Sequence, residues 1–127
     1  MTYSFNTRHG LILVLAELFG LSGNIVLRLA LDTGATGTTN NAGLLMVVGY
    51  DPSSAPERVE MTTGSGVEYA SRLAVSRISA LGQERTNFPI IVHTLPPSAG
   101  VDGLLGLDFF RGQELNLNFR TGVVVLR

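Results

Sequence analysis

Apolar residues in this chain come in short runs, and nearly every run is closed by Gly, Asn, Ser or Pro. That rhythm constrains the fold more than any other feature. A helix needs a longer uninterrupted stretch, whereas strands of about five residues joined by turns need only this. The chain therefore reads as all-β.

Residues 11–18 and 25–31 read as two strands joined across FGLSGN, and residues 43–50, GLLMVVGY, as a third. The loop DPSSAPE follows, and its prolines keep it out of any sheet. Residues 58–63 and 67–81 flank TGSG as a long hairpin. On its second arm Val67, Tyr69, Leu73 and Val75 share one side, with Glu68 and Arg72 on the other. The phase slips near Arg77, which predicts a bulge or bend. Residues 88–95, FPIIVHTL, read as a buried strand. In VDGLLGLDFFRG the spacing of Leu104, Leu107 and Phe110 predicts the one helix, with Gly112 placed to stop it. ELNLNF and VVVLR close the chain as strands on either side of a Thr-Gly turn. No linker or charge block interrupts this order, so residues 1–127 read as a single domain.

Composition removes several functions. A net charge of −1 gives no bulk attraction to nucleic acid or to an anionic membrane. All nine basic residues are Arg, so a Lys Schiff base and a phosphate-binding P-loop are both excluded. Without Cys there is no thiol nucleophile, disulfide or Cys-based zinc site. The two His, His9 and His93, lie far apart and read as structural rather than as metal ligands. No metal and no cofactor are expected. Residues 10–23, GLILVLAELFGLSG, are too short to span a bilayer and carry Glu17. A second apolar run follows at once, which suits a hairpin better than a cleaved leader. The expectation is a cytoplasmic protein if the sequence is the whole chain, or a soluble domain of a membrane-anchored precursor otherwise.

The stretch LALDTGATGT is the chemical centre of the sequence. An apolar strand delivers the Asp32 carboxylate to a poorly solvated place. Thr33 adds a short hydroxyl that can lock against nearby backbone. Gly34 removes a side chain that would hold another backbone or a ligand at a distance. Together they make a rigid turn presenting a carboxylate, although a strand-end Asx turn would use the same three residues.

Three motifs in order resemble the retropepsin-like (retroviral-type) aspartic proteases, from about Gly23 to the C-terminus. They are ALDTGAT at residues 30–36, a flap-like hairpin around TTGSG at 62–66, and GLLGLDFF at 103–110. The last, with its Gly-Leu-Asp-apolar sequence, is more similar to the cellular and bacterial branch than to the viral one. The resemblance implies a barrel-like acid-protease half, closed or partly open, with one short C-terminal helix, assembled as a two-fold homodimer. It implies an endopeptidase acting on protein or peptide substrates, with Asp32 catalytic and with Thr33 and Gly34 supporting a dyad of aspartates. It further implies substrate contacts from Ala35, from the flap residues Thr63, Gly64, Ser65 and Gly66, and from Leu104 and Leu105, which would also support the loop. The last strand, residues 123–126, is a candidate for an inter-chain sheet.

Such a dyad needs two aspartates, and this chain has one Asp-Thr-Gly. Asp102 lacks the hydroxyl neighbour, Asp108 falls inside the expected helix, and Asp51 precedes Pro52 in a loop. Each chain is therefore expected to contribute one Asp32 at a two-fold axis. Two other readings stand beside this one. One is a non-catalytic peptide-binding or dimerisation module on the same fold. The other is a small monomeric β-barrel whose Asp turn is structural.

Overall fold

The computed structural model describes residues 2–127, with the side chain of Thr63 outside the described set. Its strands are β1 (Thr2–Ser4), β2 (Leu13–Gly20), β3 (Gly23–Leu31), β4 (Thr39–Asn40), β5 (Glu57–Thr63), β6 (Gly66–Ala80), β7 (Gln83–Val92), β8 (Gly103–Leu105), β9 (Leu115–Asn118) and β10 (Val123–Leu126). One α-helix, α1, covers Ala42–Val47, and 3-10 turns cover Pro52–Ser54, Pro97–Ala99 and Leu107–Phe110. No helix among the described residues is long and apolar enough to cross a membrane.

Alternation explains the first hairpin. Val14, Ala16 and Leu18 of β2 are buried, as are Leu27, Leu29 and Leu31 of β3, while Leu15, Val26 and Arg28 face outward. The two strands pair antiparallel from Leu13↔Ala30 to Gly20↔Gly23 around a two-residue turn. From there the sheet runs β2-β3-β8-β4-β7-β6, and a further β2–β6 pairing closes it into a six-stranded barrel. Two of the pairings, β3 with β8 and β4 with β7, are parallel. Burial of Leu18, Leu27, Leu45, Ile78, Ile90, Leu105 and Phe109 fills the interior. Each such side chain contributes roughly 1.5–3 kcal/mol.

The long strand β6 serves two partners. Its C-terminal part pairs with β2 (Phe19↔Arg77 to Ala16↔Ala80), and its N-terminal part pairs with β5 (Thr63↔Gly66 to Glu57↔Arg72). Between them the expected bend occurs. The buried set changes from Leu73 and Val75 to Ile78 and Ala80. The ladder to β7 skips Ser76 opposite Asn87, whose φ is +48°, and resumes in the same register. Tyr50 fills the gap that this leaves on the other edge. Its hydroxyl donates to the Phe19 carbonyl (2.5 Å) and accepts from the Ser76 amide (2.8 Å). β5 is left as the outermost strand, projecting with β6 as a hairpin from the barrel wall. Val67 and Tyr69, expected on an apolar face, are exposed on that projection, whereas Leu73 and Val75 on the barrel are buried.

Two elements differ from the expectations. The expected strand at residues 43–50 is instead mostly helix, α1 (Ala42–Val47). The Asn41 side chain caps it by accepting from the Gly43 (2.7 Å) and Leu44 (3.3 Å) amides, and Gly49 ends it at a φ of +100°. A continuous apolar run has no period by which to separate helix from strand, so the cap decides. The expected helix in residues 101–112 is instead β8 followed by one 3-10 turn. A Cβ at Gly103 would lie 2.1 Å from the Thr39 carbonyl oxygen, so this backbone is committed to a strand against β4. Leu104 and Leu107 consequently do not share a buried helix face with Phe110; Leu107 is exposed.

The termini form a separate three-stranded sheet in the order β1-β10-β9. β10 is its central strand, with both edges paired inside the chain. β1 and β9 are left as the outer strands of the sheet that holds residues 123–126.

Removing the Tyr50 hydroxyl should expose the seam in β6. Tyr50→Phe is expected to lower unfolding free energy in urea by about 1–2 kcal/mol with an unchanged m value. Unaltered stability would show that the seam is held by packing alone.

Candidate active site

Asp32 is the first residue after β3, and its amide donates to the Leu105 carbonyl of β8 (3.0 Å). The chain then turns sharply. The Gly34 amide donates to Asp32 Oδ1 (2.8 Å) and the Ala35 amide to the Asp32 carbonyl (3.2 Å). A Cβ on Gly34 would sit 3.1 Å from Asp32 Oδ1, so glycine here keeps the carboxylate oxygen uncrowded. This is an Asx turn, and it fixes the direction in which Asp32 presents its carboxylate.

The loop is clamped from behind by residues 103–108. The Leu107 amide donates to the Ala35 carbonyl (2.8 Å), and the Leu104 amide to Thr39 Oγ1 (3.1 Å). The fully buried Thr38 hydroxyl works in both directions, accepting from the Gly106 amide (3.1 Å) and donating to Asp108 Oδ1 (2.7 Å). Gly106 lies so close to the loop that a Cβ would meet the Gly37 backbone at 2.7 Å and the Ala35 carbonyl oxygen at 2.8 Å. The Thr38 and Thr39 hydroxyls and the Gly106 and Leu104 amides thus each have a partner in the other segment.

The remaining aspartates have structural partners. Asp108 anchors Thr38. Asp102 Oδ2 accepts from the Arg28 amide (2.8 Å). Asp51 caps the turn Pro52–Ser54, and hydrogen bonds from the side chain and amide of Ser53 hold its carboxyl below the usual range.

Asp32 is half-buried at the junction of two cavities. The larger, about 500 Å³, runs between the loop and the projecting hairpin. Asp32, Gly34, Ala35 and Leu104 line it, as expected for site residues. Leu105 does not: its side chain is fully buried, and its carbonyl holds the Asp32 amide. Of the hairpin, the residues on the cavity wall are Glu60, Met61 and Thr62 of β5. The tip residues Gly64, Ser65 and Gly66 are exposed beyond them, and the Thr63 side chain lies outside the described residues. Thr36, Gly37 and Thr39 also line the cavity, and Ile91, His93 and Leu95 complete the wall. Sequence reasoning missed these three and the β5 residues. His93 carried no signal beyond its type, because only the β4–β7 pairing brings the end of β7 alongside the loop.

The smaller cavity, about 340 Å³, lies on the other side of Asp32. Thr33 opens onto it, among Leu11, Ile12, Leu117 and Phe119. Phe119 is 65% exposed and Leu11 39%, so this side of the loop is bordered by uncovered apolar surface.

Replacing Thr38 by Val would leave the Gly106 amide and the Asp108 carboxylate without their partner. Thr38→Val is expected to destabilise the protein by roughly 2–3 kcal/mol in urea unfolding. A loss below about 0.5 kcal/mol would mean that water replaces the hydroxyl in the clamp.

Comparison with known proteins gives a consistent picture. The family model described as Aspartyl protease matches residues 19–109, more than half of the chain. Among solved structures, the chain is similar to a retropepsin-like aspartic protease from Rickettsia conorii, with a TM-score of 0.73 and 18% sequence identity. That likeness covers 99% of this chain and 88% of the other. No protein with a curated description matches the sequence.

Proposed function

The chain belongs to the aspartyl protease family and has the retropepsin-like fold, and on that premise we propose that it is an endopeptidase working as a homodimer, with one Asp32 from each chain. Family and fold together support a peptidase function. The observation that carries the finer reading is the position of Asp32 at the meeting point of the peptide-sized groove and an uncovered apolar face. One chain supplies one Asp-Thr-Gly turn, while the other three aspartates are held by structural partners. A second copy docked on the face around Thr33, Leu11 and Phe119 would cover apolar surface and bring a second carboxylate to the first.

Two carboxylates so close share a proton, because like charges at that distance resist joint ionisation. One takes a proton from a water molecule as the water attacks the peptide carbonyl. The other donates its proton to the carbonyl oxygen, and a proton then passes to the leaving nitrogen. Thr33 and Gly34 serve the dyad through their places in the turn: Thr33 faces the partner and Gly34 permits close approach. Ala35 and Leu104 contact substrate within the groove. An extended peptide would lie along β5, the outermost strand, using main-chain hydrogen bonds as an added strand does. The tip, residues 63–66, would close over it and exclude water.

The test is Asp32→Asn assayed on a peptide library. Loss of kcat/KM by at least about 10³-fold, with an unchanged thermal midpoint, is expected. Wild-type specific activity is also expected to fall on dilution through the dimer dissociation range. Full activity in Asp32→Asn, or activity independent of concentration in a proven monomer, would overturn the proposal.

A further inference from the structure

A second acidic residue, Glu60, lines the groove beside Asp32, which bears on the peptides that the site accepts and rests on the protease reading above. Three residues that can carry charge line this cavity: Asp32, Glu60 and His93. None is Arg, and the chain has no Lys. Much of the remaining wall is apolar, from Met61, Ile91, Leu95 and Leu104. Glu60 is exposed on β5 and makes no ion pair among the described residues. Tyr69, directly across the β5–β6 pair, donates its hydroxyl to Glu60 Oε1 at 3.2 Å. The neighbouring cations of the hairpin are placed elsewhere. Arg72 is paired with Glu57, and Arg58 does not line the cavity.

We propose that Glu60 forms a subsite for a basic side chain, Arg or Lys, of the peptide substrate. Such a side chain has an aliphatic stem suited to the Met61, Ile91 and Leu95 wall and a cationic head suited to a carboxylate. Tyr69 orients Glu60 for this contact without neutralising it. An exposed ion pair contributes little in water, but once a peptide fills the groove beneath the hairpin, the same pair strengthens as water leaves. An acidic side chain at this position meets two carboxylates, Glu60 and Asp32, and is rejected.

The experiment compares cleavage of peptides carrying Arg, or its neutral isostere citrulline, at each position around the cut. At one position the Arg-to-citrulline ratio of kcat/KM is expected to be about tenfold. That ratio is expected to fall close to one in Glu60→Gln. In Glu60→Lys, a Glu-containing peptide should become the preferred one. A ratio near one at every position in the wild type, or a ratio unchanged in Glu60→Gln, would overturn the subsite. Fluorescence anisotropy of the same labelled peptides on Asp32→Asn protein separates this proposal from the protease reading. Glu60-dependent binding of the Arg peptide without any wild-type cleavage would sink the protease reading and keep the subsite. Cleavage with no charge preference would do the reverse. Absence of both cleavage and Glu60-dependent binding overturns the subsite as well.

Discussion

The site depends on the clamp between the Asp32 loop and the segment that crosses behind it. Two backbones meet there too closely for side chains: Gly103 against Thr39, and Gly106 against Ala35 and Gly37. Burial at that range would cost free energy if the peptide groups were left unpaired, and the Thr38 and Thr39 hydroxyls prevent this by receiving the Gly106 and Leu104 amides. Asp108 completes the arrangement from the far side of Thr38. The consequence is a turn whose geometry is fixed by two strand ends as well as by its own Asx hydrogen bonds. A dyad such as the one proposed, with two carboxylates at hydrogen-bonding distance, would need that kind of support.

The barrel positions the rest of the groove through one strand that changes partner. Because β6 leaves β2 for β5 near Ser76, its outer half rises away from the barrel and carries β5 along the loop that holds Asp32. Tyr50 seals the seam where neither partner reaches. The segment around Tyr50 fits into no motif of the sequence, yet it explains how a closed barrel extends a hairpin without leaving an open ladder. The groove wall is therefore strand β5, and the glycine-containing tip lies further out.

Much of the architecture was legible because it is local. The period-2 burial of β2 and β3, the hairpin ends at residues 63–66, the bend near Arg77 and the Asp-Thr-Gly turn each carry their own chemistry in adjacent residues. Two elements were misread for different reasons. GLLMVVGY has no period by which to assign it, and the Asn41 cap decides; in VDGLLGLDFFRG the helical spacing of Leu104, Leu107 and Phe110 is overridden by the close approach at Gly103, a tertiary fact. Adjacent in sequence, Leu104 and Leu105 part in the structure, where strand alternation sends Leu104 to the groove and Leu105 to the core. Glu60 and His93 gave no signal, since the sheet order alone brings them alongside Asp32. The terminal sheet was half legible: VVVLR is a strand, but its pairing with β1 inside the chain depends on the otherwise unremarkable residues 2–4.

A paired β10 also changes how the two chains would meet. Its edges are occupied, so under the proposed dimer a partner would meet the outer strands β1 and β9 or the apolar surface around Leu11, Leu117 and Phe119, which borders Thr33 directly. The account then stands on one distance, the separation between the Asp32 carboxylates of two chains. A crystal structure of the wild-type protein with a non-cleavable peptide measures it. The account predicts a two-fold dimer with the two carboxylates about 3 Å apart and the peptide extended along β5. A peptide-bound monomer, or a dimer whose Asp32 residues lie on separate surfaces, would contradict it.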